Sequence, residues 1–165
     1  MHTYLIILEI TPLKLGGIYD SLPLHCTLVH WFWLKQAPSE VAKRLAATLT
    51  SLPSVTLKAS NERTFPSKNK HGETVPVVVN DIAQTSGLRD IHERTCTILE
   101  NMGVQYSEPQ YVRNGYHPHV THQKDGKLFP GEVHESARLY LVEAIAPEYG
   151  NERTVRAVVD LVSTE

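Results

Sequence analysis

The tripeptide His-x-Thr occurs twice in a chain of 165 residues, once in each half, and both copies lie in apolar runs with strand character. The first sits in Leu24-His25-Cys26-Thr27-Leu28-Val29, the second in Tyr116-His117-Pro118-His119-Val120-Thr121-His122. On a strand, side chains at i and i+2 share a face. His25 and Thr27 are therefore expected to point one way together, as are His119 and Thr121. Two such strands facing each other across a cleft gather two imidazoles and two hydroxyls, so the fold must bring the halves of the chain together. His30, His71, His92, His122 and His134 have no Thr two places on. A lone strand histidine is more often a satisfied core residue than a catalyst, and the repetition reverses that balance for His25 and His119.

Length allows one domain, residues 1–165, with a substantial core. Apolar residues make up 41% and charged residues 21%, ordinary proportions for a globular chain. A formal net charge of -2 argues against a general nucleic-acid binder. It leaves room for a small phosphorylated ligand or a single RNA end. Cys26 and Cys96 are too few for a disulfide framework, which points to a reducing compartment. The sequence opens directly into Tyr4-Leu5-Ile6-Ile7-Leu8, with no basic region or small-residue cleavage site before it. No apolar run approaches a membrane span. A cytoplasmic location without membrane contact is the expectation.

Hydrophobic periodicity predicts a buried strand over 3–10, a motif strand from Leu24 to about Trp33, and a helix opened by Pro38-Ser39 and ended by Pro53. Val41, Leu45, Leu49 and Leu52 form that helix's apolar stripe. A short strand, 55–59, is expected next, then a polar loop or hairpin tip over 61–73 and a strand from Thr74 to Asn80. Ser86 is the expected N-cap of a second helix, with Gly103 at its C-terminal end. A loop over 104–115 leads into the second motif strand. Two closing strands, 137–145 and 154–162, are joined through Pro147 and Gly150-Asn151. Strands mixed with two helices predict an α+β fold. Each half carries one helix and one motif, a coarse internal duplication.

Splitting a phosphodiester requires one proton taken from the attacking water and one delivered to the leaving oxygen. Two imidazoles titrating near neutrality do both when one is neutral and the other protonated. Charge on the non-bridging oxygens must also be held, and the hydroxyls of Thr27 and Thr121 are suitable donors.

His25-Cys26-Thr27-Leu28 and His119-Val120-Thr121, their separation of 94 residues, the chain length and the closing strand pair with its charged turn resemble the 2H phosphoesterase superfamily, the LigT-like or 2′-5′ RNA ligase-like proteins. That resemblance implies a bilobal α+β fold of pseudo-two-fold duplicated antiparallel sheets with flanking helices and an active-site groove between the lobes. It also implies a metal-independent phosphodiesterase acting on 2′,3′-cyclic phosphates or 2′-5′ linkages in RNA or nucleotides. His122 departs from the family pattern, where an aliphatic residue is more usual. On this reading His25 and His119 are the catalytic pair, Thr27 and Thr121 hold the phosphate, no cofactor is needed and no metal ligand is assigned. The partner is a small nucleotide or RNA end, and a monomer suffices because the site is internal.

Two enzymatic alternatives use the same site, RNA end ligation and hydrolysis of a cyclic oligonucleotide. A third is a catalytically silent nucleotide- or RNA-binding module. A zinc site of His25, His117 and His119 is a more distant reading, since paired threonines have no ligand role there. Tyr116, Tyr4 and Phe65 are candidates to stack a base. His117 is a candidate substrate contact beside His119. Arg63, Lys68, Lys70, Arg113 and Lys124 are candidates for a second phosphate. Trp31-Phe32-Trp33 is expected to pack between lobe and helix. His30 and His122 are read as structural, and Cys26 as a small buried side chain.

Overall fold

The structure is a computed structural model that describes residues 1–68, 71–145 and 152–162. Its strands are β1 (His2–Glu9), β2 (Ile18–Tyr19), β3 (His25–Leu34), β4 (Val55–Lys68), β5 (Thr74–Ile82), β6 (Gln105–Tyr106), β7 (His119–Thr121), β8 (Val133–Ser136), β9 (Arg138–Ile145) and β10 (Glu152–Asp160). Two helices, α1 (Pro38–Leu49) and α2 (Ser86–Asn101), complete it with two 3-10 turns, Pro109–Tyr111 and Arg113–Gly115. The strands form a six-stranded sheet in the order β2-β10-β9-β1-β3-β6 and a four-stranded sheet in the order β7-β5-β4-β8. Their pairings are antiparallel. The fold is α+β with two lobes, as the sequence predicts. The closing strands β9 and β10 return to the sheet begun by β1, so the sheets have unequal strand numbers.

β1 explains much of this arrangement. Tyr4 to Leu8 are all buried, which an interior strand covered on both faces requires. Tyr4, Ile6 and Leu8 face a core shared with α1, α2 and the smaller sheet. Leu5 and Ile7 face a second cluster with Leu22, Tyr140, Val142 and Val155. Each large side chain so buried stabilises the fold by roughly 1.5–3 kcal/mol. The main core joins both lobes: Val41, Leu45 and Leu49 of α1 and Leu88, Ile91 and Leu99 of α2 meet Leu57, Ile82 and Val120. A continuous core of that kind holds the two motif strands at a fixed spacing.

Several expectations are corrected. Residues 61–68 are not loop: β4 continues through Lys68 and pairs with β5 as far as Lys68↔Thr74. From Phe65 outward this is a two-stranded ribbon beyond the four-stranded sheet, and Pro66 stands opposite Pro76. Prolines are tolerated because no further strand claims the ribbon's outer groups. The α2 N-cap is Thr85, whose hydroxyl accepts from the Leu88 N–H at 3.2 Å, not Ser86. β8 was not predicted, and the expected turn through Pro147 and Gly150-Asn151 lies outside the described residues. Among the described residues no helix is long and apolar enough to cross a membrane.

Candidate active site

β3 belongs to the larger sheet and β7 to the smaller, and a groove of about 1260 Å³ runs between the lobes where they meet. His25, Thr27, His119 and Thr121 all line it. The alternation holds at both motifs: the intervening Cys26 and Val120 are fully buried, while the four motif side chains are half-buried at the groove.

The two imidazoles are held in the same way. His25 Nδ1 donates to the carbonyl of Pro23 at 2.7 Å, and His119 Nδ1 donates to the carbonyl of His117 at 2.9 Å. In each case the acceptor is two residues upstream. A carbonyl can only accept, so Nδ1 carries the hydrogen in both rings and Nε2 is the atom whose protonation changes. Among the described residues no hydrogen bond engages either Nε2. Burial lowers the pKa of His25; the bond to Pro23 opposes this, and the charges of His119 and Arg153 add to the lowering. Burial also lowers His119, opposed by its own carbonyl bond and reinforced by Arg63 and His117. Both shifts favour the neutral ring, with Nε2 the atom that takes up a proton.

Neighbouring side chains support the smaller-lobe half of the site. Asp81 of β5 lies opposite His119 in the β5–β7 register. Its carboxylate accepts from Arg63 Nε at 2.7 Å and His117 Nε2 at 2.9 Å. Burial alone would raise Asp81, but these two bonds outweigh it and hold the carboxyl below its ordinary range. The Phe65 ring stacks beside His119 at 5.5 Å between centroids, and the Arg63 guanidinium lies 5.3 Å from the Phe65 centroid.

The sequence-predicted contacts divide. Phe65, His117, Tyr116, Arg63 and Lys68 line the groove. Lys70 lies outside the described residues. Tyr4 does not reach the groove: it is fully buried on the core face of β1 and its hydroxyl donates to the Gln36 carbonyl at 2.8 Å. Arg113 does not reach it either, because it lies against α2, pairing with Glu93 at 2.5 Å and Glu100 at 2.6 Å. Lys124 is likewise not among the lining residues. Tyr116 is nearly buried, with its ring flat on His92 at 3.9 Å, so it braces the site instead of offering a stacking face. His117 is not on a strand with His119, since β7 begins after Pro118. Its Nε2 turns to Asp81, and no three His, Cys, Asp or Glu side chains among the described residues are placed to hold a metal ion. Cys26 is buried, and burial pushes its thiol up to about 12.

The groove also holds residues that the sequence reading misplaced or did not mark. His30 and Trp31 both line the groove. Trp31 stands on the face that alternation from His25 and Thr27 already gives it, whereas the two irregularities of β3 against β1 bury Val29 and turn His30 outward. Thr27 and Val29 span two steps where Ile7 and Ile6 span one, and Val29 to Phe32 spans three where Ile6 to Tyr4 spans two. Each extra residue flips the alternation. Phe32 alone of the aromatic run enters the core, and His122 is structural, bonded to Asn80 Oδ1 at 2.9 Å. Arg153 of β10 also lines the groove, donating to the Asp20 carbonyl at 2.6 Å. No local signal marks it, because Asp20 and Trp31, which it meets at the groove, lie more than a hundred residues away in sequence.

Comparison with known proteins agrees with this architecture. E. coli LigT complexed with 3′-AMP superposes with a TM-score of 0.63 at 14% identity, over 98% of each chain. E. coli LigT complexed with phosphate gives 0.59 at 15%, again over 98% of each chain. A structure from Thermus thermophilus gives 0.55 at 19%, over the whole of both chains. No curated protein sequence matches the chain. The family model described as the 2′-5′ RNA ligase superfamily matches residues 7–147. With that match spanning both motifs and most of its length, the chain belongs to the 2′-5′ RNA ligase superfamily.

Proposed function

We propose that the protein is a phosphodiesterase that opens 2′,3′-cyclic phosphates or cleaves 2′-5′ linkages in RNA or nucleotides, working without a metal ion. One histidine Nε2 takes a proton from water as the water oxygen bonds to phosphorus. The other Nε2–H gives its proton to the ribose oxygen as the phosphorus–oxygen bond breaks. The reaction leaves the first ring protonated and the second neutral, and exchange with solvent resets them. Thr27 and Thr121 donate to the non-bridging oxygens, where negative charge grows. The substrate's own phosphate charge raises the depressed imidazole pKa values and so supplies the acid. That E. coli LigT is seen with 3′-AMP and with phosphate accords with a nucleotide phosphate in such a groove.

The observation that carries this reading is the matched anchoring: both motif imidazoles give Nδ1 to the carbonyl two residues upstream and leave Nε2 at the groove. A structural histidine such as His92 spends both nitrogens, one on the Leu28 carbonyl and one on the Arg113 N–H. The test is turnover of 2′,3′-cyclic nucleotides, 2′-5′ dinucleotides and short RNAs ending in a cyclic phosphate, with EDTA present. His25→Ala and His119→Ala are each expected to lower kcat about 10²–10⁴-fold. Activity lost with EDTA and restored by zinc would overturn the reading.

A further inference from the structure

The carbonyl that anchors each motif imidazole belongs to a peptide group, and the two peptide groups differ. His25 Nδ1 donates to the carbonyl of the Pro23–Leu24 peptide, whose nitrogen carries a hydrogen. That Leu24 N–H donates in turn to Asp125 Oδ2 at 3.2 Å. His119 Nδ1 donates to the carbonyl of the His117–Pro118 peptide, and a proline nitrogen has no hydrogen to give. The C=O and N–H of a trans peptide point away from each other on one conjugated unit. A carboxylate that accepts from the N–H therefore makes the carbonyl oxygen more negative, and hydrogen bonds in such a chain strengthen one another. Asp125, the Pro23–Leu24 peptide and His25 form a chain of this kind. His119 cannot have one through its own anchor.

The carboxylate is held where it stands. Asp125 sits in a tight turn that follows the second motif, closed by Gln123 and Gly126, each of whose N–H groups donates to the other's carbonyl, at 2.9 and 3.1 Å. The same Oδ2 accepts the Thr11 hydroxyl at 2.8 Å, and the Thr11 N–H donates to the Leu24 carbonyl at 2.9 Å. Leu24 is thus fixed at both of its backbone groups. The contact runs from the segment after β7 to the residue before β3, and so from one lobe to the other. Of the charges around His25, those of His119 on β7 and Arg153 on β10 oppose its protonation, and that of Asp125 favours it.

We propose that Asp125 is a positioning residue for His25, acting through the Pro23–Leu24 peptide to fix the ring and to support the charge it takes up in the reaction. This rests on the two-histidine reading, and an NMR titration of the free protein separates the two claims because it needs no turnover. In the unsubstituted protein the Leu24 amide proton is expected to move downfield as His25 becomes protonated. A Leu24 signal that ignores that titration overturns the proposal. Asp125→Asn keeps an oxygen for both donors and loses only the charge. It is expected to lower the titration midpoint of His25, to move that of His119 less, and to leave the unfolding midpoint unchanged. Asp125 is exposed, so a purely through-space effect would fade in 1 M salt, where the screening length is about 3 Å. An effect carried by the peptide is expected to persist there. In turnover, kcat/KM of Asp125→Asn is expected to fall about tenfold, the lower end of the loss seen when a metal-bound imidazole loses the partner behind it. An unmoved His25 midpoint, equal movement of both histidines, or a shift abolished by salt overturns the proposal. The expected shift in a protein that turns over no cyclic phosphate or 2′-5′ linkage would uphold the link to His25 and overturn the reaction. Turnover with a His25 midpoint indifferent to Asp125 would do the reverse.

Discussion

The Tyr116 hydroxyl donates to the backbone carbonyl of Thr27 at 2.8 Å, tying the residue that precedes one motif to the middle of the other. Beside it, His92 Nδ1 donates to the next carbonyl, that of Leu28, at 2.9 Å. The two rings lie face to face, 4° from parallel. The irregularity in β3 between Thr27 and Val29 disturbs the ladder there, and buried carbonyls need donors. Helix α2 and the segment before β7 provide them.

Tyr116→Phe removes one of those donors and keeps the ring. The Thr27 carbonyl then loses its 2.8 Å bond at a nearly buried site and keeps the long 3.9 Å contact from the Cys26 thiol, a change expected to cost about 1–3 kcal/mol. A denaturant midpoint shifted by that amount, with a fall in kcat from the loosened motif spacing, is the expected result. An unchanged midpoint would show that the two motifs are held by the core alone.

Protonation has a defined direction. Burial lowers the pKa of His25, His92 and His119 below the ordinary imidazole value in the native state. Below pH about 6.5 the unfolded chain therefore binds more protons than the folded one, and stability falls as pH falls. Above that pH these residues add no slope. Unfolding midpoints at pH 5 and pH 8 check this, and the histidine contribution is expected to be lost on the acid side. In activity, kcat/KM reports the free protein and is expected to be bell-shaped, with its optimum below pH 6.5. The kcat profile should lie at higher pH, because bound phosphate favours the imidazolium.

Asp81 connects two groove residues, and its loss separates their roles. Asp81→Asn removes the charge that holds Arg63 beside Phe65 and His117 beside His119. It also removes a negative charge that raises the His119 pKa, so the limb of the kcat/KM profile that His119 controls is expected to move to lower pH. Because both side chains of the Arg63–Asp81 pair are partly exposed, the stability cost should be only about 1 kcal/mol. His117→Ala touches a side chain that is 52% exposed and is expected to cost less in kcat/KM than Asp81→Asn. Equal losses would assign the effect to His117.

The sequence showed the motif faces because alternation at His25-Cys26-Thr27 and His119-Val120-Thr121 is a local property of a strand. It also showed the two helices, whose apolar stripes repeat at 3.6 residues. It hid the outer part of β4, residues 61–68, where no apolar stripe forms, although it did mark the strand over 74–80 that this part pairs with. It placed His30 wrongly because an extra residue in a strand turns the side chains after it until a second one restores the alternation, and neither leaves a compositional mark. Arg153 and Asp81 enter the site only through strand pairing, and Tyr4 and Arg113 leave it through packing and ion pairs formed elsewhere.

The segment that delivers the second motif depends on Gly115. A Cβ at this position would stand 1.8 Å from the backbone carbonyl oxygen of Gln110, which no side-chain movement relieves. The two 3-10 turns, Pro109–Tyr111 and Arg113–Gly115, close against each other at that point, with Arg113 at a φ of 62°. Its backbone is held there by the His92 Nε2, which accepts the Arg113 N–H at 2.9 Å, and by Arg89, which donates to its carbonyl at 2.5 Å. Gly115→Ala must open this turn and displace Tyr116, which follows directly. The expected cost is about 1–3 kcal/mol, the range for overpacking a tight site. Because Tyr116 and His119 move with the turn, kcat is expected to fall more than stability alone would require at a temperature where the variant is folded. Measuring kcat and the unfolding midpoint together checks this, and a destabilised variant with normal kcat would mean that β7 is positioned by its pairing with β5 alone.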